Sequence, residues 1–421
     1  MTEREVIEFV EENDVKFIRL AFVDLLGTMK NIAIMPTQLQ RAFDGGISFD
    51  ASAVKGFCDI TNSELFLKPD PNTLTVLPWR PQTGRVARMI CDCLTPDGEL
   101  FSGYSRTILR RQMELAGRMG YHFRVGTEYE FYLFQADEQG DVTLRPQDEA
   151  GYMDVAPLDK GENVRREICL TLEAMGIQPE SSHHEHGPGQ NEVDFRSAGA
   201  LAAADNAMTF KTTVRTIAAQ YGLCASFMPK PLENESGNGL HINLSIEKDG
   251  AQLLETPDGE LSPDAQHAMA GILRRIREIS LFLNPIPNSY KRLGCCEAPQ
   301  HINWSFGNRS QLIRIPASVP GTGRMELRSP DPACNPYLAF ALIIAAAMEG
   351  IREKAPLQEA LKITGELPGS LFSAIIFARE SEFVRRVLGD ALDKYVVEKK
   401  QTAARFETEP EELFQLHLRT I

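Results

Sequence analysis

Thr127-Glu128-Tyr129-Glu130-Phe131-Tyr132-Leu133-Phe134 is the stretch on which the reading of this 421-residue chain turns. With the two-residue period of a β-strand, Glu128 and Glu130 fall on one face, and Tyr129, Phe131 and Leu133 on the other. A carboxylate face with an apolar back describes either a half-solvated sheet or the wall of a site that holds positive charge. For the second case the obvious occupant is a hard divalent cation with oxygen ligands.

The same pattern recurs downstream. The Gly-rich loop Ser236-Gly237-Asn238-Gly239 opens a strand with His241, Asn243 and Ser245 on one face and Leu240, Ile242 and Leu244 on the other. In Arg324-Met325-Glu326-Leu327-Arg328, Arg, Glu and Arg alternate with apolar residues. Three such strands imply one sheet lining a polar cleft, its back covered by helices. Between the first two lies the densest group of ligand-type side chains, His183, His184, Glu185, His186 and Glu192, just after Glu180. Arg292, Glu297, Arg309 and Arg314 follow. Arginines facing a carboxylate-rich cleft suit an anionic substrate, because the guanidinium fork grips carboxylate or phosphate with two bonds. The constellation points to two hard metals and a phosphate-bearing substrate. No P-loop motif occurs, and the residues alone leave phosphoryl transfer and hydrolysis both open.

The length exceeds the roughly 250–300 residues at which one core stops growing, so two domains are expected. Hydrophobic residues make up 43% and charged residues 24%, as in ordinary globular proteins. The net charge is −14, and no basic run could track a phosphate backbone, which argues against nucleic acid. The acidic N-terminus has the pattern of a helix and no signal-peptide core. The longest apolar run, Leu338 to Met348, is too short to span a bilayer. A soluble, cytoplasmic protein without membrane association is expected. The eight cysteines form no C-x-x-C pair and read as reduced, mostly buried thiols.

Val15 to Asp24 and Met29 to Met35 read as a hairpin around Leu25-Leu26-Gly27-Thr28. A helix from Gln38 to Phe43 and a polar loop from Phe49 to Gly56 follow, then strands at Thr73 to Leu77 and Val86 to Cys91. Thr95-Pro96-Asp97-Gly98 closes this small mixed sheet, with a boundary near residue 100. Ser105 reads as the N-cap of the next helix. Further helices are expected at Asn163 to Gly176, at Leu201 to Tyr221 and through most of the last third.

Nine segments, in order and across nearly the whole chain, carry a resemblance. They are F-D-A-S-A-V-K-G-F from Phe49, G-T-E-Y-E-F-Y-L-F from Gly126, H-H-E-H-G-P-G-Q-N-E-V-D-F from His183, F-M-P-K-P from Phe227 and G-N-G-L-H-I-N from Gly237. N-P-I-P-N-S-Y-K-R-L from Asn284, E-A-P from Glu297, N-R-S-Q-L-I-R-I-P from Asn308 and R-M-E-L-R-S-P-D-P-A-C-N-P-Y-L from Arg324 complete the set. Together they resemble the type I glutamine synthetase family. The resemblance implies an α+β fold with an N-terminal β-grasp domain over residues 1–102. A catalytic domain with a curved antiparallel sheet backed by helices would cover residues 103–421. It also implies a homo-oligomer, a dodecamer of two stacked hexameric rings with sites between neighbouring subunits.

The activity implied is ATP-dependent ligation of ammonia to L-glutamate through γ-glutamyl phosphate. Carried over by position, Glu130, Glu185 and Glu192 would hold one Mg²⁺ or Mn²⁺. Glu128, His241 and Glu326 would hold a second, on the ATP phosphates. Arg292 and Arg328 match the residues that grip glutamate, beside Gly237, and Glu130 and Glu185 border the same pocket. Arg309 and Arg314 match those that stabilise the transferred phosphoryl, while Glu180, Ser245 and Arg324 match nucleotide contacts. Glu297 lies in a flap over the intermediate, and Asp50 from the next subunit, with Tyr152, would deprotonate ammonium. The chain departs from the family pattern at Ala53, where serine is usual. It departs again at Asn243, an ATP-contact position where a second His is common, and in the short flap Gly294-Cys295-Cys296-Glu297. The C-terminal third lacks the Asn-Leu-Tyr segment that is adenylylated in one subclass. Because these departures cluster near the nucleophile, the alternative is a γ-glutamyl-amine ligase using methylamine, ethanolamine or a polyamine. A third reading is a catalytically silent structural or regulatory homologue.

Overall fold

The computed structural model describes residues 1–255, 260–319 and 322–421. The first helix, Glu3–Glu12, starts at a reciprocal cap in which Thr2 Oγ1 accepts from the Glu5 amide and the Glu5 carboxylate accepts from the Thr2 amide. Six strands follow: β1 Val15–Val23, β2 Met29–Ile34, β3 Ile47–Asp50, β4 Glu64–Pro69, β5 Thr75–Val76 and β6 Arg85–Leu94. They form a sheet in the order β2-β1-β6-β4-β3, with β5 beside β6. The β1–β6 pair at its centre is parallel, as a β-grasp unit requires. Val6, Ile18, Leu20, Phe43, Leu67 and Met89 build its core.

Two details of this unit differ from the sequence reading. Phe49 and Asp50 end a strand, β3, instead of opening a loop, and the loop then contains a 3-10 turn at Ala51–Ala53. Strand β4, absent from the sequence reading, pairs β3 to β6. In the β1–β2 turn Gly27 has φ +92°, and a Cβ there would lie 3.1 Å from Asn335 Cα, so the turn tucks under the second unit only with glycine. Asn335 Nδ2 donates to the Leu25 carbonyl at 3.2 Å across this contact.

The second unit opens with the helix Ser105–Arg118. Its N-cap position is Tyr104, not Ser105; Ser105 is already inside the first turn and buried. A ten-stranded sheet follows. Its strands are β7 Tyr121–Ala136, β8 Val142–Pro146, β9 Pro179–His184, β10 Gln190–Gly199, β11 Leu223–Ser226, β12 Leu240–Lys248 and β13 Ala251–Gln252. β14 Trp304–Phe306, β15 Ile313–Ile315 and β16 Met325–Leu327 complete it. The order is β14-β15-β16-β12-β7-β10-β9, with β8 and β11 paired to β7 and β13 to β12. It is antiparallel except for the β14–β15 pair, which is parallel.

β7 is the spine of this sheet because both of its faces are satisfied. Tyr129, Phe131 and Leu133 enter the main core, where Tyr129 and Phe131 meet Phe210 and Phe227 with ring centroids 5.3–6.2 Å apart. Each such ring contributes roughly 1.5–3 kcal/mol by leaving water. The helices Ala200–Gln220, Pro263–Leu283 and Pro336–Glu353 supply most of the opposing apolar surface. Among the described residues no helix is long and apolar enough to cross a membrane.

Candidate active site

The face of β7 opposite the core meets its neighbours in a register that gathers the polar residues. Glu130 stands opposite Glu192 and Glu128 opposite Asp194 on β10, and Glu128 stands opposite His241 on β12. One pair further, Asn243 faces Glu326 on β16, and Glu326 faces Arg314 on β15. Antiparallel pairing with a period of two forces these side chains onto one surface. That surface lines a cavity of about 770 Å³.

The cavity brings together Glu128, Glu130, Tyr152, Glu185, Glu192, Gly237, His241, Arg292, Glu297, Arg309, Arg314, Arg324 and Arg328. Glu326 and Asn243 sit behind the wall: Glu326 accepts from Arg314 at 2.7 Å and Arg328 at 2.5 Å, and Asn243 bonds Glu128 at 2.8 Å and Arg324 at 2.9 Å. Glu180 and Ser245, expected at the site, lie outside this lining, and so does Asp50, which was expected to serve a neighbouring subunit. Asp50 is exposed at the end of β3, where it caps Ser52. Glu180 is exposed on β9 beside Arg196 at 3.7 Å. Ser245, further along β12, donates to the Gly323 carbonyl at 3.3 Å.

Two groups of ligand atoms lie on this face. Glu128, His241 and Glu326 each bring one within 4.8 Å of the others; so do His183, Glu185 and Glu192. Glu130 stands between these groups, its Oε2 accepting from the Gly239 amide at 2.7 Å and from Gln190 Nε2 at 3.2 Å. A Cβ at Gly239 would come within 2.7 Å of an Arg292 nitrogen and 3.0 Å of His241 Nε2, so a side chain there would displace groups of the cavity wall.

The electrostatics of the two groups differ. Burial alone would raise the Glu128 carboxyl, but the His241 hydrogen bond and charge, with Asn243, bring it down to about 2. Burial raises Glu130 and, with Asp194 and Glu130 nearby, pushes Glu192 well above the carboxylate range; Asp194 rises to about 6, burial again leading. Buried carboxylates stacked in register repel one another. A donor set of carboxylate oxygens and imidazole nitrogens fits a hard divalent cation, whose charge would offset that repulsion.

Glu185 is placed by a buried lock. His184 hydrogen-bonds the Glu185 carbonyl at 2.7 Å through Nδ1 and Asp148 at 2.9 Å through Nε2, and Asp148 also accepts from the Gly189 amide at 2.9 Å. Burial opposes the charge on Asp148, but the His184 bond, ahead of the Lys160 and Gly189 amides, brings it to about 2. Asp148, Asp159 and His184 also lie within ligand distance of one another. Asp159, however, already holds Arg165, so this third cluster reads as structural. Tyr152 stacks on His186 at 4.5 Å and meets His183 edge-on at 5.5 Å, which makes an aromatic wall over Glu185.

His183, His186, Gln190, Asp194, Ser236, Cys295 and Cys296 also line the cavity. Asp194 was legible, being one alternate position beyond Glu192. Cysteines are less buried than expected: three buried, three half-buried and Cys295 and Cys296 exposed.

Comparisons with known proteins identify the family. Residues 14–96 match the family described as the glutamine synthetase beta-Grasp domain, and residues 102–415 match the glutamine synthetase catalytic domain. Glutamine synthetase from Methanosarcina mazei is 46% identical over 406 residues, 92% of this chain and 91% of that protein. The enzyme from Clostridium saccharobutylicum is 44% identical, covering 92% of each. A solved GmaS/ADP complex superposes with a TM-score of 0.87 at 30% identity over 96% of each chain. The Plasmodium falciparum glutamine synthetase structure, at 24% identity, shares the fold with a TM-score of 0.88 over 97% of each. Family matches along both units, and relatives of this similarity along nearly the whole length, place the chain in the glutamine synthetase family.

Proposed function

We propose that this enzyme ligates ammonia to L-glutamate with ATP, through γ-glutamyl phosphate, to give L-glutamine, ADP and phosphate. The observation that carries the reading is one cavity with carboxylates and His241 on its floor and Arg292, Arg309, Arg314, Arg324 and Arg328 around it. Acids that attract cations and arginines that grip anions then face the same reacting atoms.

In this reading Glu130, Glu185 and Glu192 hold one divalent ion and Glu128, His241 and Glu326 another, each Mg²⁺ or Mn²⁺. Bound there, the ions would screen the ATP phosphates and orient the γ-phosphoryl group. Arg292 and Arg328, with the Gly237 loop, hold glutamate by its carboxylates; Arg309 and Arg314 take up charge on the transferred phosphoryl. Arg324, Asn243, Ser245 and Glu180 form the nucleotide side. Phosphorylation gives the γ-carboxylate a leaving group, and Glu297, bonded to Arg328 at 3.5 Å, holds the flap so that ammonia reaches the intermediate before water. Ammonium must lose a proton to attack; Tyr152 in the aromatic wall and Asp50 of a neighbouring subunit border its approach.

Asp50 lies away from the cavity of its own chain, which supports an assembly with shared sites; a dodecamer of two hexameric rings is proposed, working in the cytoplasm. Within each subunit, residues 1–102 and 103–421 are the proposed domains. The test is an assay with ATP and glutamate offered ammonium, methylamine, ethanolamine or a polyamine. The highest kcat/KM is expected for ammonium, and a much higher value for an amine would sink the reading.

A further inference from the structure

The flap presents the two solvent-exposed cysteines of the chain, adjacent in sequence. The other six are shielded. Burial pushes the thiols of Cys58, Cys91, Cys93, Cys169, Cys224 and Cys334 above their ordinary range. The nucleophile in thiol chemistry is the thiolate, so these six are poor reactants.

The flap is a tight turn. The Cys295 carbonyl accepts from the Ala298 amide at 3.0 Å, and the Gly294 amide donates to the Ala298 carbonyl at 3.2 Å. Cys296 occupies the first central position with φ +53°, a left-handed conformation that residues with a Cβ adopt only at a cost. Its Sγ accepts from Ser236 Oγ across 3.9 Å, while the Cys295 thiol donates to the Lys291 carbonyl at 3.4 Å. Both cysteines line the reaction cavity. The other central residue of the turn is Glu297, which bonds Arg328. One strained turn therefore carries two exposed sulfurs and the carboxylate that ties the flap to the substrate pocket.

We propose that Cys295 and Cys296 are a reversible thiol–disulfide switch, addressed by a low-molecular-weight disulfide, that shuts the cavity; the effect on turnover rests on the function proposed above, the thiol chemistry does not. The Cys296 thiolate attacks one sulfur of R–S–S–R, forming Cys296–S–S–R and releasing one R–S⁻. The Cys295 thiolate then attacks the Cys296 sulfur, forming the Cys295–Cys296 disulfide and releasing the second R–S⁻. Two protein thiols lose two electrons in all, and one R–S–S–R becomes two R–SH. Adjacent Cα atoms are ~3.8 Å apart across a trans peptide, against roughly 4.4–6.8 Å in most disulfides. Closing this ring therefore forces the turn to rearrange, drawing Glu297 off Arg328, and gives a strained bond that thiols readily reduce.

The experiment treats the full-length protein with oxidised glutathione and follows the tryptic peptide between Arg292 and Arg309 by mass, beside glutamine formation. In wild type the peptide is expected to lose two hydrogens and stop reacting with iodoacetamide, and activity to fall about tenfold or more until dithiothreitol restores both. Cys295→Ser is expected to stop at the glutathione adduct, and Cys296→Ser to keep its own untreated activity. Glutamate and ATP with Mg²⁺ should slow the modification in wild type. An unmodified wild-type peptide overturns the switch whatever the enzyme makes. So does equal loss of activity in the Cys295→Ser/Cys296→Ser double variant, which places the oxidation elsewhere. Each variant is compared with its own untreated sample, so a change in basal turnover does not enter.

Discussion

Glu130 and Glu192 face each other directly across the β7–β10 ladder, both buried. Burial and the neighbouring acids disfavour the charge on each, so the pair costs stability unless a cation joins it. In Glu130→Gln the amide oxygen still accepts from Gly239 and Gln190, and one charge disappears. Glutamine formation is expected to fall about 100-fold or more. The thermal midpoint in chelator should rise, and its further rise with Mg²⁺ should shrink. Scanning calorimetry with and without Mg²⁺ reads both; a metal response equal to wild type would remove Glu130 from the ligand set.

Two arginines of the cavity should separate binding from chemistry. Arg292 is buried, its fork donating to the Ser329 and Pro330 carbonyls at 2.9 and 3.1 Å and to the Arg328 carbonyl at 3.2 Å. Arg292→Lys loses that fork, so a higher KM for glutamate is expected with a stability loss of about 1–3 kcal/mol. Arg309 lines the same cavity but is exposed. Arg309→Ala is expected to lower kcat while leaving stability within about 0.5 kcal/mol. Urea denaturation beside steady-state kinetics checks both, and a kcat unchanged in Arg309→Ala would end its phosphoryl role.

What sequence could reveal here follows from range. The alternation at Glu128 and Glu130 is local, so the inner face of β7 and its likeness to the faces of β12 and β16 were legible. Strand β3 was not: its four residues, Ile47 to Asp50, alternate only between half-buried and exposed, and a short edge strand has little apolar pattern to read. β4 ends in Pro69, next to the turn residues Asp70 and Pro71, which masks it. At the site, the work of His184 depends on Asp148, 36 residues away, and no spacing rule joins them. The resemblance already set Asp50 at a neighbouring subunit's site, but the distance of Glu180 from the cavity of its own chain was not legible.

Lys211 gives the protein a pH dependence outside the catalytic groups. Burial lowers its ammonium from 10.5 to about 7, although Nζ donates to the Pro332 carbonyl at 2.6 Å. The unfolded chain therefore binds the extra proton between these values, and stability rises with pH across that window. Below about 7 both states are protonated and the full penalty applies. Relative to Lys211→Met, wild type is expected to gain about 1–3 kcal/mol from pH 7 to 10. Urea midpoints of both proteins along a pH series decide it; a constant gap would mean that Lys211 does not titrate in the window.

Arg106 ties the two units together, and its removal should be felt in both. It is 1% exposed, on the helix that opens the second unit. It bonds Asp70 at 2.8 Å and Asp92 at 2.5 Å from the first unit, and Asp205 of the second through two nitrogens at 2.9 and 3.1 Å. Tyr337 donates to Asp205 as well, at 2.6 Å. A buried ion cluster adds little over a well-packed apolar core, but removing Arg106 leaves Asp70 and Asp205 without their arginine, at about 3–5 kcal/mol, while Asp92 keeps Arg110 at 2.7 Å. Arg106→Leu is expected to lose that much and to split the calorimetric transition, because the acids facing the helix from the first unit lose their shared partner. Adding Asp205→Asn should recover part of the loss, since the most buried of the stranded charges is then gone. A single transition moved by less than about 1 kcal/mol would show that the other contacts between the units, not this cluster, hold them in place.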